Sequence, residues 1–241
     1  MATPLIDKIK SRGYWYVIIR PTQFNQHLIP SLDECHRLIE ESKVSLRGWD
    51  YPHLPRLGQG LSKGVDWIES STESMVWIPI LEYWRFYQSG QFAHLFNCTE
   101  DWIDLDQLQI QSWGRNRPLP EKVLSILSTV YRVTEIYEFA ARLAAKEIFR
   151  SDLSITVELH GMKERVLVVT GHMRAPLLEN YTCKLDDLPY PPKTVSLETL
   201  LAQASDLALE NILWFFERFH WQSIPVHVIK NDQRNLLERR L

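Results

Sequence analysis

Cysteine is scarce. Cys35, Cys98 and Cys183 are isolated from one another and odd in number. No two have the spacing of a metal-binding pair, and three lone thiols make no disulfide framework. They read as buried, reduced side chains of a cytoplasmic protein. Long apolar runs are missing as well. The longest, such as residues 212–216, fall far short of the ~20 residues that cross a bilayer, and residues 1–10 contain no apolar core of a secretory leader. The expectation is a chain with no membrane segment and a cytoplasmic location. Neither sign of charge dominates: 27 Lys and Arg stand against 30 Asp and Glu, a net charge of −3. A general polyanion binder shows its footprint in bulk charge, so any basic surface here must be local. No repeat points to a solenoid or a propeller.

Familiar catalytic arrangements are absent too. Gly60-Leu61-Ser62-Lys63-Gly64 has the pattern of a hydrolase nucleophile elbow, but that motif needs a strand before it and a helix after it. Here a Pro/Gly loop precedes it and a strand-like segment follows. With Gly58 the same stretch could cradle a phosphate, yet it has neither the Walker nor the dinucleotide spacing. His94 and Cys98, on one strand, would stand about 13 Å apart at ~3.3 Å per residue, too far for a catalytic dyad. His160 and His172 fall at opposite ends of an expected hairpin. Glu100, Asp101, Asp104 and Asp106 read as a solvated acidic face near a helix start, as does Asp186-Asp187. No metal site and no cofactor is expected.

What the chain does have is apolar and aromatic bulk. It is 45% hydrophobic, with nine Trp, nine Tyr and nine Phe among 241 residues. A chain of this size buries roughly 70% of its unfolded surface. Leu5, Ile6 and Ile9 at helical spacing predict a short N-terminal helix stopped at Gly13. Residues 14–19 are aromatic and β-branched and predict a strand. Ser31 caps a helix running to about Lys43. Residues 44–46 form a candidate strand, residues 52–64 a loop, and strands are expected over 65–70, 75–88 and 92–98. A helix is expected over 119–149, then a hairpin of 153–159 with 165–170. Ser196 caps a last long helix ending near Trp221, and its narrow polar arc predicts burial on more than one side. A short strand at 226–229 and a charged, peripheral tail at 231–241 close the chain. Runs of strands interrupted by single helices predict an α+β fold: an antiparallel or mixed sheet with two long helices on one face and a shorter N-terminal helix. The chain reads as one domain, 1–241, with a candidate subdomain boundary at 113–118.

Arginine interleaved with aromatics recurs in three places. These are Arg47-Gly48-Trp49-Asp50-Tyr51, Tyr83-Trp84-Arg85-Phe86-Tyr87, and Trp113-Gly114-Arg115-Asn116-Arg117. Aromatic faces stack on planar ligands, and arginine adds charge and forked hydrogen bonds. In the hairpin around Ser89-Gly90, a two-residue turn sets Tyr87 opposite Phe92 and Arg85 opposite His94. A three-residue loop with a glycine bulge instead sends Phe92, His94 and Phe96 to the side of Trp84 and Phe86. Both registers keep Tyr83, Arg85 and Tyr87 on one face. That face is either a ligand platform or a layer beneath a helix. Candidate ligand contacts are Tyr83, Arg85, Tyr87, Arg47, Trp49, Asp50, His53, Arg115 and Arg117.

The expected function is a non-catalytic binding or adaptor protein that takes a nucleotide or single-stranded nucleic acid on this face. Two other classes stay open. One is an enzyme acting on nucleotides or nucleic acid, with 58–64 near phosphates and Arg47, Asp50 and His53 converging. The other is a homo-oligomer subunit, favoured if the last long helix exposes Trp214 and Trp221. A protein partner, or self-association, is expected through that helix or the tail.

Overall fold

Buried and half-buried side chains alternate along residues 14–19 and 153–160, as expected where one sheet face meets the core. The structure, a computed structural model, describes residues 2–55, 60–76, 78–111, 120–171 and 174–240. Helix α1 (Ala2–Lys10) leads into strand β1 (Tyr14–Pro21), helix α2 (Leu32–Ser42) and strands β2 (Leu61–Lys63), β3 (Trp67–Ser74), β4 (Ile80–Tyr87) and β5 (Phe92–Asn97). After two 3-10 turns come β6 (Val123–Ser125), α3 (Ile126–Ala144), β7 (Leu153–His160) and β8 (Val166–Val168). The chain continues through β9 (Leu188–Pro189), β10 (Lys193–Val195), α4 (Leu197–Arg218) and α5 (Val226–Leu237).

One antiparallel sheet of eight strands runs β10-β7-β1-β5-β4-β3-β2, with β9 also on β7. Its inward side chains, among them Trp15, Val17, Ile19, Trp84, Phe86, Phe92, Ile155 and Val157, share a core with α2, α3, α4 and α5. On the other face α1 covers one end, where Leu5 and Ile9 pack on Leu81 and Tyr83. The α+β architecture expected from the sequence is the one observed. Serine caps start two helices where they are expected, Ser31 and Ser196 accepting the N–H of Glu34 and Thr199, and Ser125, unforeseen, caps a third by accepting the Ser128 N–H.

Several elements differ from the sequence reading. Residues 123–125 form a strand rather than the first turn of the long helix, which begins after Ser125. Strand β8 does not pair with β7 in a hairpin but lies parallel to β6. Residues 44–46 make only a single bridge, Val44 to Tyr51. The expected last strand and the tail as far as Leu237 are one helix, α5, whose Ile229, Asp232, Gln233 and Leu236 face inward at helical spacing. Gln233 donates to Thr134 Oγ1 and to the Ser205 carbonyl, and Arg174 forks onto Asp232 at 2.8 and 2.9 Å. The tail is therefore core structure. Trp221 is buried against Tyr181 and Phe216, and Trp214 lies on Tyr190 beneath Arg218. Trp221 therefore lacks the exposure that would have favoured an oligomer, and Trp214 is half-buried. Residues 113–118 lie within 112–119, outside the described residues.

Glu100 and Asp101 are not a solvated acidic face. Asp101 is forked by the buried Arg165 at 2.7 Å from both Nη atoms and also accepts the Gly13 N–H. Arg165 donates as well to the Val123 and Gly161 carbonyls, so it ties β1, β6 and the end of β7 together. A Cβ on Gly13 would fall 2.4 Å from Arg165 Nη2, which explains glycine there. Glu100 is buried and accepts the Ser125 N–H, and burial pushes its carboxyl above the usual range.

Candidate functional site: an uncovered sheet face

The hairpin takes the three-residue loop. Phe86 lies opposite Phe92 and Arg85 opposite Ala93, and Gly90 adopts φ +79°. Trp84, Phe86, Phe92, His94 and Phe96 point to the helices. Tyr83, Arg85 and Tyr87 take the opposite face. Among the described residues no helix lies over Arg85 and Tyr87, because α1 reaches only the Leu81–Tyr83 end.

The strand registers turn this face into rows. Trp67 lies opposite Tyr87, whose N–H bonds the Gln91 carbonyl, and Arg20 and Ser154 continue across β1 and β7. The next row is Glu69, Arg85, Ala93, Ile18 and Thr156. The third is Ser71, Tyr83, Leu95, Tyr16 and Glu158. At the end of the first row, Arg20, Phe24, Gln91, Ser154 and Thr194 line a recess of about 340 Å3. Phe24 is 82% exposed, and Arg20 is exposed without an ion pair among the described residues.

Arg85 sits at the centre. Its Cζ lies 4.1 Å over the Trp67 ring and 5.8 Å from each of the Tyr83 and Tyr87 rings. Nε and Nη2 donate to Glu69 Oε2 at 3.0 and 2.6 Å, and the Tyr83 hydroxyl donates to the same oxygen at 2.5 Å. Burial, reinforced by Glu69, raises the Tyr83 phenol well above its usual range, and burial next to Glu158 raises Tyr16. The Tyr83 and Tyr16 hydroxyls therefore stay protonated at neutral pH. Glu69 offsets the Arg85 charge, so the guanidinium presents a flat stacking surface, and Arg20 is the free cation of the first row.

Arg47, Trp49, Asp50 and His53 do not join this group. They lie with the helices, on the other side of the sheet. Arg47 forks onto Glu135 at 2.8 Å through two bonds, and its Cζ lies 5.4 Å from the Tyr131 ring. Trp49 stacks on His53 at 3.9 Å. Asp50 accepts from Ser45 and lies 3.4 Å from Lys43, so it does not converge with the other two. The His53 backbone N–H bonds Glu82, and its carbonyl accepts the Trp84 indole N–H. Arg115 and Arg117 fall outside the described residues.

Sequence reasoning missed Trp67, Glu69 and Arg20, which only the strand registers bring to Arg85. It also missed Glu82, Arg132 and Glu135 around the Arg47 loop, and weighed His94 only as a partner of Cys98 and as a hairpin residue. Inward-facing polar residues on otherwise apolar strands and helices were the available signal. The three thiols are buried and free, with Cys35 pushed up to about 12 by desolvation, which disfavours a nucleophilic thiolate. Among the described residues no cluster of His, Cys, Asp and Glu is arranged to hold a metal ion. No described helix is long and apolar enough to cross a membrane. No family model, curated protein or solved structure matches this chain.

Proposed function

We propose that this is a non-catalytic binding protein whose uncovered sheet face takes a nucleotide or a short stretch of single-stranded nucleic acid. The observation that carries the reading is the juxtaposition of Trp67, Arg85, Tyr87 and Tyr16 with the Arg20 recess on a face that no described helix covers there. Unstacked bases bind on aromatic rings and on arginine planes, with little demand on sequence. The layered Trp67–Arg85 pair and the Tyr87 ring offer such planes, and Arg20 is placed to meet one phosphate. A recess of about 340 Å3 is at the small end of ligand sites and suits one base with its sugar. Glu69 and Glu158 on the same face disfavour a long polyanion, so the ligand is one or a few nucleotides. Fluorescence anisotropy with a labelled single-stranded oligonucleotide tests this. Tyr87→Ala should weaken binding about tenfold or more, within the ~1–3 kcal/mol of one stacked base. No binding by the parent protein to oligonucleotides or mononucleotides would refute it.

A further inference from the structure

The helix side of the sheet holds a second polar group, separated from the open face by the sheet itself. Arg132, on α3, is half-buried, and its guanidinium makes no hydrogen bond and no ion pair among the described residues. Its Cζ lies 5.4 Å from the Phe96 ring. His94 neighbours the same ring at 4.6 Å, is 1% exposed, and has no hydrogen-bond partner on either nitrogen. Glu82 Oε2 is 3.7 Å from its Nε2. Tyr51, also 1% exposed and 5.2 Å from His94, carries an unpartnered hydroxyl. The carboxylates nearby are already engaged: Glu135 by Arg47, Glu82 by the His53 N–H, and Glu100 by the Ser125 N–H. What remains unmatched is mostly donors: five N–H groups on Arg132, the Tyr51 hydroxyl and one imidazole N–H. A half-buried guanidinium with no hydrogen-bond partner has its complement in an oxyanion that can take the planar fork.

We infer that Arg132, with His94 and Tyr51 beside it, forms a site for one oxyanion group, a carboxylate or a phosphate, of a small molecule. The site is independent of the proposed sheet-face function. The test is a melting curve of the full chain in sodium acetate, sodium phosphate or sodium chloride at equal ionic strength. One of the two oxyanions should raise the midpoint saturably above chloride, and which one does so identifies the source. Arg132→Gln should abolish that shift and change the midpoint in chloride little, because the guanidinium has only its contact with the Phe96 ring to lose. Tyr51→Phe should keep the chloride midpoint and weaken oxyanion binding several-fold. Acetate and phosphate both matching chloride would overturn the inference, as would an Arg132→Gln protein that keeps the shift. An Arg132→Gln protein that does not fold would overturn it too, by showing that the side chain holds the core.

Discussion

Removing the Arg85 guanidinium would leave Glu69 with the Tyr83 hydroxyl as its remaining side-chain partner among those described. Both members of the ion pair keep some solvent contact, with side chains 29% and 15% exposed, so screening reduces its worth. Arg85→Ala should therefore cost on the order of 1–2 kcal/mol, the ion pair and the Trp67 contact together, and leave the fold intact. Urea unfolding checks this. A loss of 4 kcal/mol or more would make the residue a core strut rather than part of a surface. The placement of Tyr83, Arg85 and Tyr87 together was legible from the strand period alone. Glu69 was not, because its approach depends on a β3–β4 register that local sequence does not specify. His94 makes a pH prediction. Burial lowers its pKa below the usual value, despite Glu82 alongside, so the folded protein refuses a proton that the unfolded chain accepts. Fewer protons bound in the folded state means stability is lost as pH falls through about 6.5. Parent unfolding free energy should decline from about pH 7 to pH 5, and His94→Leu should flatten that slope. Equal slopes would remove His94 as the cause.

Helix α5 shows where local pattern misleads. Val226 and Val228 suggest a strand, and the charges after them suggest a free tail, yet the same segment places Ile229, Asp232, Gln233 and Leu236 on one helical stripe. The stripe was present in the sequence, but its polar members became recognisable as inward-facing only with Arg174, Thr134 and Ser205 as partners. Burial of Ile229 and Leu236 alone is worth roughly 3–6 kcal/mol. Deleting residues 226–241 should lower stability by at least about 4 kcal/mol or give insoluble protein. A truncated protein that melts within a few degrees of the parent would show that α5 is peripheral. Strand β8 fails for a related reason. Its apolar run fits any buried strand, and the parallel partner β6 comes from a segment that reads as helix. Serine caps and alternating strands were legible because each is set within a few residues.

Across the whole molecule, a net charge of −3 and the carboxylates on the open face leave little general attraction for a polyanion. Affinity for single strands should then rest on stacking, with Arg20 as the phosphate contact. The slope of log Kobs against log salt should be about −0.7 for one contact, or about twice that for two. Slopes steeper than about −3 would mean a basic surface elsewhere in the molecule carries the binding. The sheet also divides the described candidate ligand residues into two groups that cannot share a ligand. Sequence could not foresee this, since Arg47 and Arg85 reach opposite faces only after the registers of five strands are set. Mapping contact sites decides most directly whether the open face is the binding surface. Ultraviolet crosslinking to a photoreactive single-stranded oligonucleotide, followed by peptide mass spectrometry, should label Tyr16, Trp67 or Tyr87, and the labelling should disappear with unlabelled competitor. Crosslinks confined to helices α2–α5, or none at saturating ligand, would contradict the proposal.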